Sequence, residues 1–167
     1  MGYTLGARSR AEFAGVRYDL GSVVHEAIKI TAQDFSVHDG LRTEAEQRAL
    51  MKSGASKTMN SKHLPQADGF GHAVDLVPFI NGKLRWEWKP IFHIAAAVRK
   101  ALDIVNAERK TRNLDPLKLI WGGVWDRDFA ALPADAAGME QAVNAYVARR
   151  RGAGKTAFID GPHFEIA

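Results

Sequence analysis

The chain contains no cysteine. That absence excludes a disulfide framework, a thiolate zinc finger, an iron–sulfur cluster and a cysteine nucleophile together. Any metal must take its ligands from His, Asp or Glu. No apolar run approaches the roughly 20 residues that span a bilayer, so membrane insertion is not expected. The segment from Met1 to Arg17 is polar, Gly-containing and basic, without the apolar centre of a secretion signal. A strong charge imbalance is missing too: 23 Lys and Arg against 19 Asp and Glu leave a formal +4. That excess permits attraction to a polyanion without naming one.

What is present is the composition of one folded domain. The 167 residues are 46% hydrophobic and 25% charged, enough to bury a core without staples. No internal repeat or low-complexity segment divides them, so residues 1–167 are read as a single domain. Asp19 is expected to cap a helix over Leu20 to Thr31, where Leu20, Val23, Val24, Ala27 and Ile28 recur at helical spacing. Phe35 and Val37 alternate in a short strand ending at Asp39-Gly40, and Thr43 to Glu46 has the form of a capping box for a helix to about Ser53. Gly54 to Gly71 reads as a loop and Ala73 to Pro78 as a strand, with Asn81-Gly82 as a hairpin turn. Pro90 opens the longest helix, Ile91 to Ala107. Leu117 to Trp121 reads as a buried strand, Met139 to Arg150 as a helix, and Phe158 to Ile166 as extended chain. Without regular βαβ alternation, the pattern points to an α+β fold with a small, mainly antiparallel sheet, packed helices and a cleft.

Of six histidines, His25, His38 and His93 read as packed or solvated. His63, His72 and His163 each lie near a carboxylate in loop or strand context. Two histidines and one carboxylate from separate positions suffice to hold a catalytic zinc with a fourth position open. A further carboxylate must then move the proton, and Asp160, joined to His163 by Gly161-Pro162, is of the right type. By residue type and spacing alone, His and Asp placed for packing satisfy the pattern equally well.

Ser61-Lys62-His63, Gly71-His72-Ala73-Val74-Asp75 and Asp160-Gly161-Pro162-His163 stand in this order, with Gly40-Leu41-Arg42-Thr43 and Glu46-Gln47 before them. Trp121-Gly122-Gly123-Val124-Trp125 lies between the second and third segments. This order resembles the zinc peptidases that include D-alanyl-D-alanine carboxypeptidases and dipeptidases, and more closely their phage-encoded L-alanyl-D-glutamate endopeptidases used as endolysins. The resemblance implies that Zn2+ is held by His63, Asp75 and His163, with Asp160 as general base and acid. It implies a catalytic role for Arg42 toward substrate carboxylate or oxyanion, where the residue alone admits a surface pair with Glu46. Ser61 and Trp121 are expected at the substrate, Trp121 as a wall of the cleft.

The implied activity is hydrolysis of the L-alanyl-D-glutamate amide of peptidoglycan. The alternatives are a D-alanyl-D-alanine carboxypeptidase or dipeptidase, and a non-catalytic zinc-containing wall-binding domain. Peptidoglycan is the expected partner, with no nucleic acid, and the chain is expected to be a monomer. It is expected to accumulate in the host cytoplasm and to act on the wall after release. One departure from the family pattern is a loop, residues 64–70, inserted between His63 and Asp75, which stand twelve positions apart. It is expected to form a lid over the cleft rim. It also raises His72 as a competing ligand, although alternation along a strand would turn His72 and Asp75 to opposite faces.

Overall fold

The computed structural model describes residues 2–167. The first elements are a short helix α1 (Ala7–Ala11), helix α2 (Tyr18–Ile30), strand β1 (Phe35–Asp39) and helix α3 (Glu44–Ser53). A long loop leads to β2 (Ala73–Ile80), β3 (Lys83–Leu84) and the longest helix, α4 (Trp88–Thr111). β4 (Leu119–Trp121), a 3-10 turn at Phe129–Ala131, α5 (Ala136–Gly152) and β5 (His163–Ile166) complete the order. The fold is α+β, as expected. Sheet order is β1-β2-β5-β4, every pair is antiparallel, and β3 folds back on β2.

Alternation along the strands divides the molecule into a core and a site. Val37, Leu76, Phe164, Leu119 and Trp121 are buried in the hydrophobic core with the apolar face of α4. That face runs through Ile91, Ile94, Val98, Ala101, Leu102 and Val105, the three-and-four spacing of one helical stripe. α4 packs on β2, and α2 and α5 pack on α4. The opposite face of the sheet carries Asp75 paired with His163, and Ala73 paired with Glu165.

The local rules mostly hold. Thr43 and Glu46 form the reciprocal capping box of α3. Asn81 and Gly82 take φ of 52° and 74°, the left-handed pair that a tight hairpin requires. Several boundaries differ: α4 runs on to Thr111, α5 spans Ala136–Gly152 rather than Met139 to Arg150, and β2 extends to Ile80. α2 starts at Tyr18 rather than after an Asp19 cap, because Asp19 sits in the first turn, bound to Arg17 Nε at 2.9 Å. α4 starts three residues before Ile91, with Pro90 in the first turn, where no N–H is needed. β4 starts only at Leu119, because the Leu117 N–H and C=O are taken by the Asn106 amide at 2.7 and 3.0 Å. Residues 158–162 are not strand, since the chain turns there before β5. α1, which no periodicity announced, places Ser9 Oγ 3.0 Å from the Val37 N–H and so occupies a donor on edge strand β1.

Candidate active site

Three side chains meet on the open face of the sheet. Asp75 comes from β2, His163 from its cross-strand neighbour β5, and His63 from the loop after α3. His63 Nε2 lies 3.3 Å from His163 Nδ1 and 3.3 Å from Asp75 Oδ1, and the latter two are 3.2 Å apart. Zinc–ligand bonds of about 2.0–2.1 Å in tetrahedral geometry require ligand separations of about 3.3–3.4 Å. The triangle has that size.

The outward ring nitrogens fix what points inward. His63 Nδ1 donates to the Gly40 carbonyl at 2.7 Å, so Nε2 is the nitrogen turned to the other two groups. His163 Nε2 donates to Glu165 Oε2 at 3.1 Å, which does the same for its Nδ1. With both rings deprotonated there, two imidazole lone pairs and a carboxylate oxygen would converge on one point, an arrangement that repels itself unless positive charge, a proton or a metal ion, sits among them. Burial opposes a charge on His163, yet hydrogen bonds to Asp75 and Glu165 push its pKa up to about 10. Burial likewise works against the Asp75 carboxylate, but the charges and hydrogen bonds of His63 and His163 hold it well below the usual range. The donor set and its spacing fit a divalent metal ion.

His72 is not part of this group. Its Nε2 instead meets Asp68 Oδ2 at 2.8 Å, and the competing ligand assignment falls away. The loop of residues 64–70 is also not a lid, because none of its residues lines the cleft. The Gln66 N–H donates to the Phe70 carbonyl at 2.9 Å, and the next residue, Gly71, exchanges hydrogen bonds of 2.8 and 3.0 Å with Gly15 and Arg17. That tether closes the loop on itself and holds its end against the N-terminal segment. The cleft wall comes from Ala55 to Lys62 instead.

The cleft encloses about 510 Å³ around the triangle and includes Arg42, Ser61 and Asp160. Arg42 is largely buried and makes no bond to Glu46; its Nε donates to Asp39 at 2.8 Å and its Nη1 to Gln47 Oε1 at 2.7 Å. Nη2 binds Asp39 as well and lies 3.7 Å from Asp75 Oδ2. Three of the five guanidinium N–H groups are engaged, leaving two for a ligand. Ser61 Oγ accepts from the His63 N–H at 3.2 Å, so it braces the chain at His63. Asp160 is half-buried, and burial followed by the charge on Asp75 raises its carboxyl. The Asp160 N–H donates to the Gly122 carbonyl at 2.8 Å. A Cβ on Gly122 would stand 2.1 Å from the Asp160 carbonyl oxygen, so only glycine allows this approach.

Trp121, expected as a cleft wall, is fully buried in the core. It lies on the core face of β4, and its Nε1 donates to the Gly161 carbonyl at 2.7 Å, supporting the 160–163 turn from beneath. The aromatic walls are Trp86, Trp125 and Phe158. Glu165, Gln47 and the Gly40 carbonyl were not foreseen. Glu165 could have been found, because two residues after His163 on a strand means the same face.

Residues 1–135 match the family model described as phage L-alanyl-D-glutamate peptidase. The chain belongs to that family. Arg42, His63 and Asp75 lie inside the stretch on which this phage peptidase family is matched; Asp160 and His163 lie beyond it. The L-alanyl-D-glutamate peptidase of Escherichia phage T5 is 30% identical over 129 residues, 75% of this chain and 84% of that protein. The crystal structure of the Serratia marcescens L-Ala D-Glu endopeptidase ChiX has a TM-score of 0.66 and 30% identity. That likeness covers 98% of this chain and 90% of the other.

Proposed function

We propose that this chain is a zinc peptidase that hydrolyses the L-alanyl-D-glutamate amide of bacterial peptidoglycan stem peptides and serves as a phage endolysin. The observation that carries this reading is the convergence of His63, Asp75 and His163 lone pairs in a cleft shared with Asp160 and Arg42, in a chain of this family. Two imidazoles and a carboxylate are a ligand set that suits zinc. Such an ion, when bound, supplies Lewis acidity that acidifies water and polarises a carbonyl.

The chain's own groups do the rest. Asp160 takes the proton of the attacking water and returns it to the departing D-glutamate nitrogen as the C–N bond breaks. Its raised carboxyl favours the capture, because a more basic carboxylate takes a proton more readily. Arg42 offers its two free N–H groups to the substrate carboxylate or to the developing oxyanion. Glu165 and the Gly40 carbonyl hold the two imidazoles in their ligating tautomers. The reading carries with it a monomer that accumulates in the host cytoplasm and acts on the wall after release.

Mass spectrometry of digested sacculi tests the bond. Stems ending in a new L-alanine carboxylate with D-glutamate as a new amino terminus support the reading; free D-alanine would replace it with a carboxypeptidase. Elemental analysis should find about one zinc per chain. Asp160→Ala should keep the metal and lose turnover, while His163→Ala should lose both. Equal behaviour of the two variants would contradict the assigned roles, and undiminished turnover by Asp160→Ala would remove the general base.

A further inference from the structure

The cleft lining combines cations, Arg42, Lys57 and Lys62, with the large aromatic rings of Trp86, Trp125 and Phe158. Trp125 is already occupied: it packs on the His163 ring at 5.4 Å and stacks on Phe158 at 6.3 Å. Trp86 is not. It is 55% exposed, unusual for the largest apolar side chain on a cleft rim. The backbone that presents it is braced. The Arg85 N–H donates to the Pro78 carbonyl at 2.8 Å, and Arg85 Nε pairs with Glu87 at 2.9 and 3.2 Å across the tryptophan. His38 stands perpendicular to the indole with ring centroids 5.4 Å apart. A pre-set aromatic surface loses little freedom on binding a ligand.

The chemistry of the substrate says what reaches it. In peptidoglycan the nitrogen of the stem's L-alanine is acylated by the lactyl ether of an N-acetylated amino sugar. An enzyme that cuts immediately after that alanine holds the sugar one residue away, about 3.3–3.6 Å of extended chain plus the lactyl group. D-Glutamate, on the other side of the bond, brings a carboxylate. Resting on the proposed cleavage site, we infer that Trp86 is a sugar subsite: the muramyl ring lays its C–H face on the indole, while the glutamate carboxylate is met by the cations of the same cleft. A sugar offers apolar C–H groups on its face and hydroxyls at its edge, which matches an indole that is apolar in body and polar at Nε1.

The test compares a muramyl-bearing stem peptide with the same peptide N-acetylated at L-alanine and lacking the sugar. Wild-type kcat/KM should favour the first by about tenfold. Trp86→Ala should bring that ratio near one, and Trp86→Phe, which keeps an aromatic face, should retain part of it. A wild-type ratio near one, or a ratio unchanged in Trp86→Ala, overturns the inference. An equal loss on both substrates does so as well, since it would make Trp86 a general wall. A second measurement does not need cleavage: calorimetric titration with muramyl-L-alanine against N-acetyl-L-alanine. Tighter binding of the first, lost in Trp86→Ala, supports the subsite even if the bond cut proves to be another; equal binding refutes it.

Discussion

Gln47 is the most consequential side chain in the site that touches neither ligand triangle nor solvent. It is fully buried. Its Oε1 accepts from Arg42 Nη1 at 2.7 Å, and its Nε2 donates to Ser56 Oγ at 2.8 Å and to the Thr58 carbonyl at 2.7 Å. One amide therefore joins the guanidinium to the loop that forms the cleft wall. Gln47→Leu keeps approximate size and returns none of these bonds. The bond to a charged partner is worth about 1.5–3 kcal/mol and the neutral ones about 1 kcal/mol each. The Thr58 carbonyl keeps Ser56 Oγ at 3.2 Å, so it is not orphaned, and the leucine gains some transfer free energy in return. A net loss of about 3 kcal/mol is expected, read as a shifted midpoint in urea at constant slope. Gln47→Glu retains an acceptor for Arg42 but loses the donor to the wall, so it should destabilise while keeping more kcat/KM than Gln47→Leu. A Gln47→Leu midpoint within about 0.5 kcal/mol of wild type would refute the energetic reasoning. Equal losses of activity in the two variants would refute the link to Arg42.

Glu165→Ala removes the acceptor that orients His163 and should weaken metal binding about 10–100-fold, read by competition with a chromogenic chelator; unchanged affinity would deny Glu165 that role. In chelator-treated protein, the raised Asp160 carboxyl means the folded form holds this proton more tightly than the unfolded form. Its contribution to stability therefore falls as pH rises from the unfolded pKa toward the raised folded one. Asp160→Asn should accordingly gain stability relative to wild type at pH 7 but not at pH 3, and the same difference at both would mean that folding leaves this carboxyl unshifted. Trp121→Phe leaves the Gly161 carbonyl without its 2.7 Å donor and should lower stability by about 1–3 kcal/mol in urea titrations; a variant as stable as wild type would make that bond dispensable.

How far the residues foretold this structure depends on the range of the interaction. The Thr43–Glu46 box, the Asn81-Gly82 turn and the stripe on α4 are written within a few residues, and each stands where local rules put it. The His63, Asp75 and His163 trio was legible for a different reason: residue types left many candidates, and the ordered resemblance to the zinc peptidases singled out the three that meet in the cleft. Tertiary partners were not legible. Asp19 has the type of a cap, but its pairing with Arg17 and, at 3.5 Å, with Arg109 on α4 needs the packed helices. The 64–70 loop was assigned to the cleft by its position between ligands, yet its end follows the hydrogen bonds of Gly71 to residues 15 and 17. A backbone carbonyl such as that of Gly40 has no residue signature, so the orienting partner of His63 could not be read.

The sheet order has a consequence for synthesis. β5 follows every other strand in the chain, yet it lies between β2 and β4. As the polypeptide leaves the ribosome, β2 can take β1 and, at its far end, β3 as partners, while its Ala73 to Asp75 stretch and the whole of β4 wait for residues 163–166. Residues 160–167 carry Asp160, His163 and Glu165, so a nascent chain stopped before them would hold only His63 and Asp75 of the triangle. Under the proposed mechanism, completion of the site waits for β5 to enter the sheet. Until that moment the growing chain presents open strand edges, the feature that chaperones guard against aggregation.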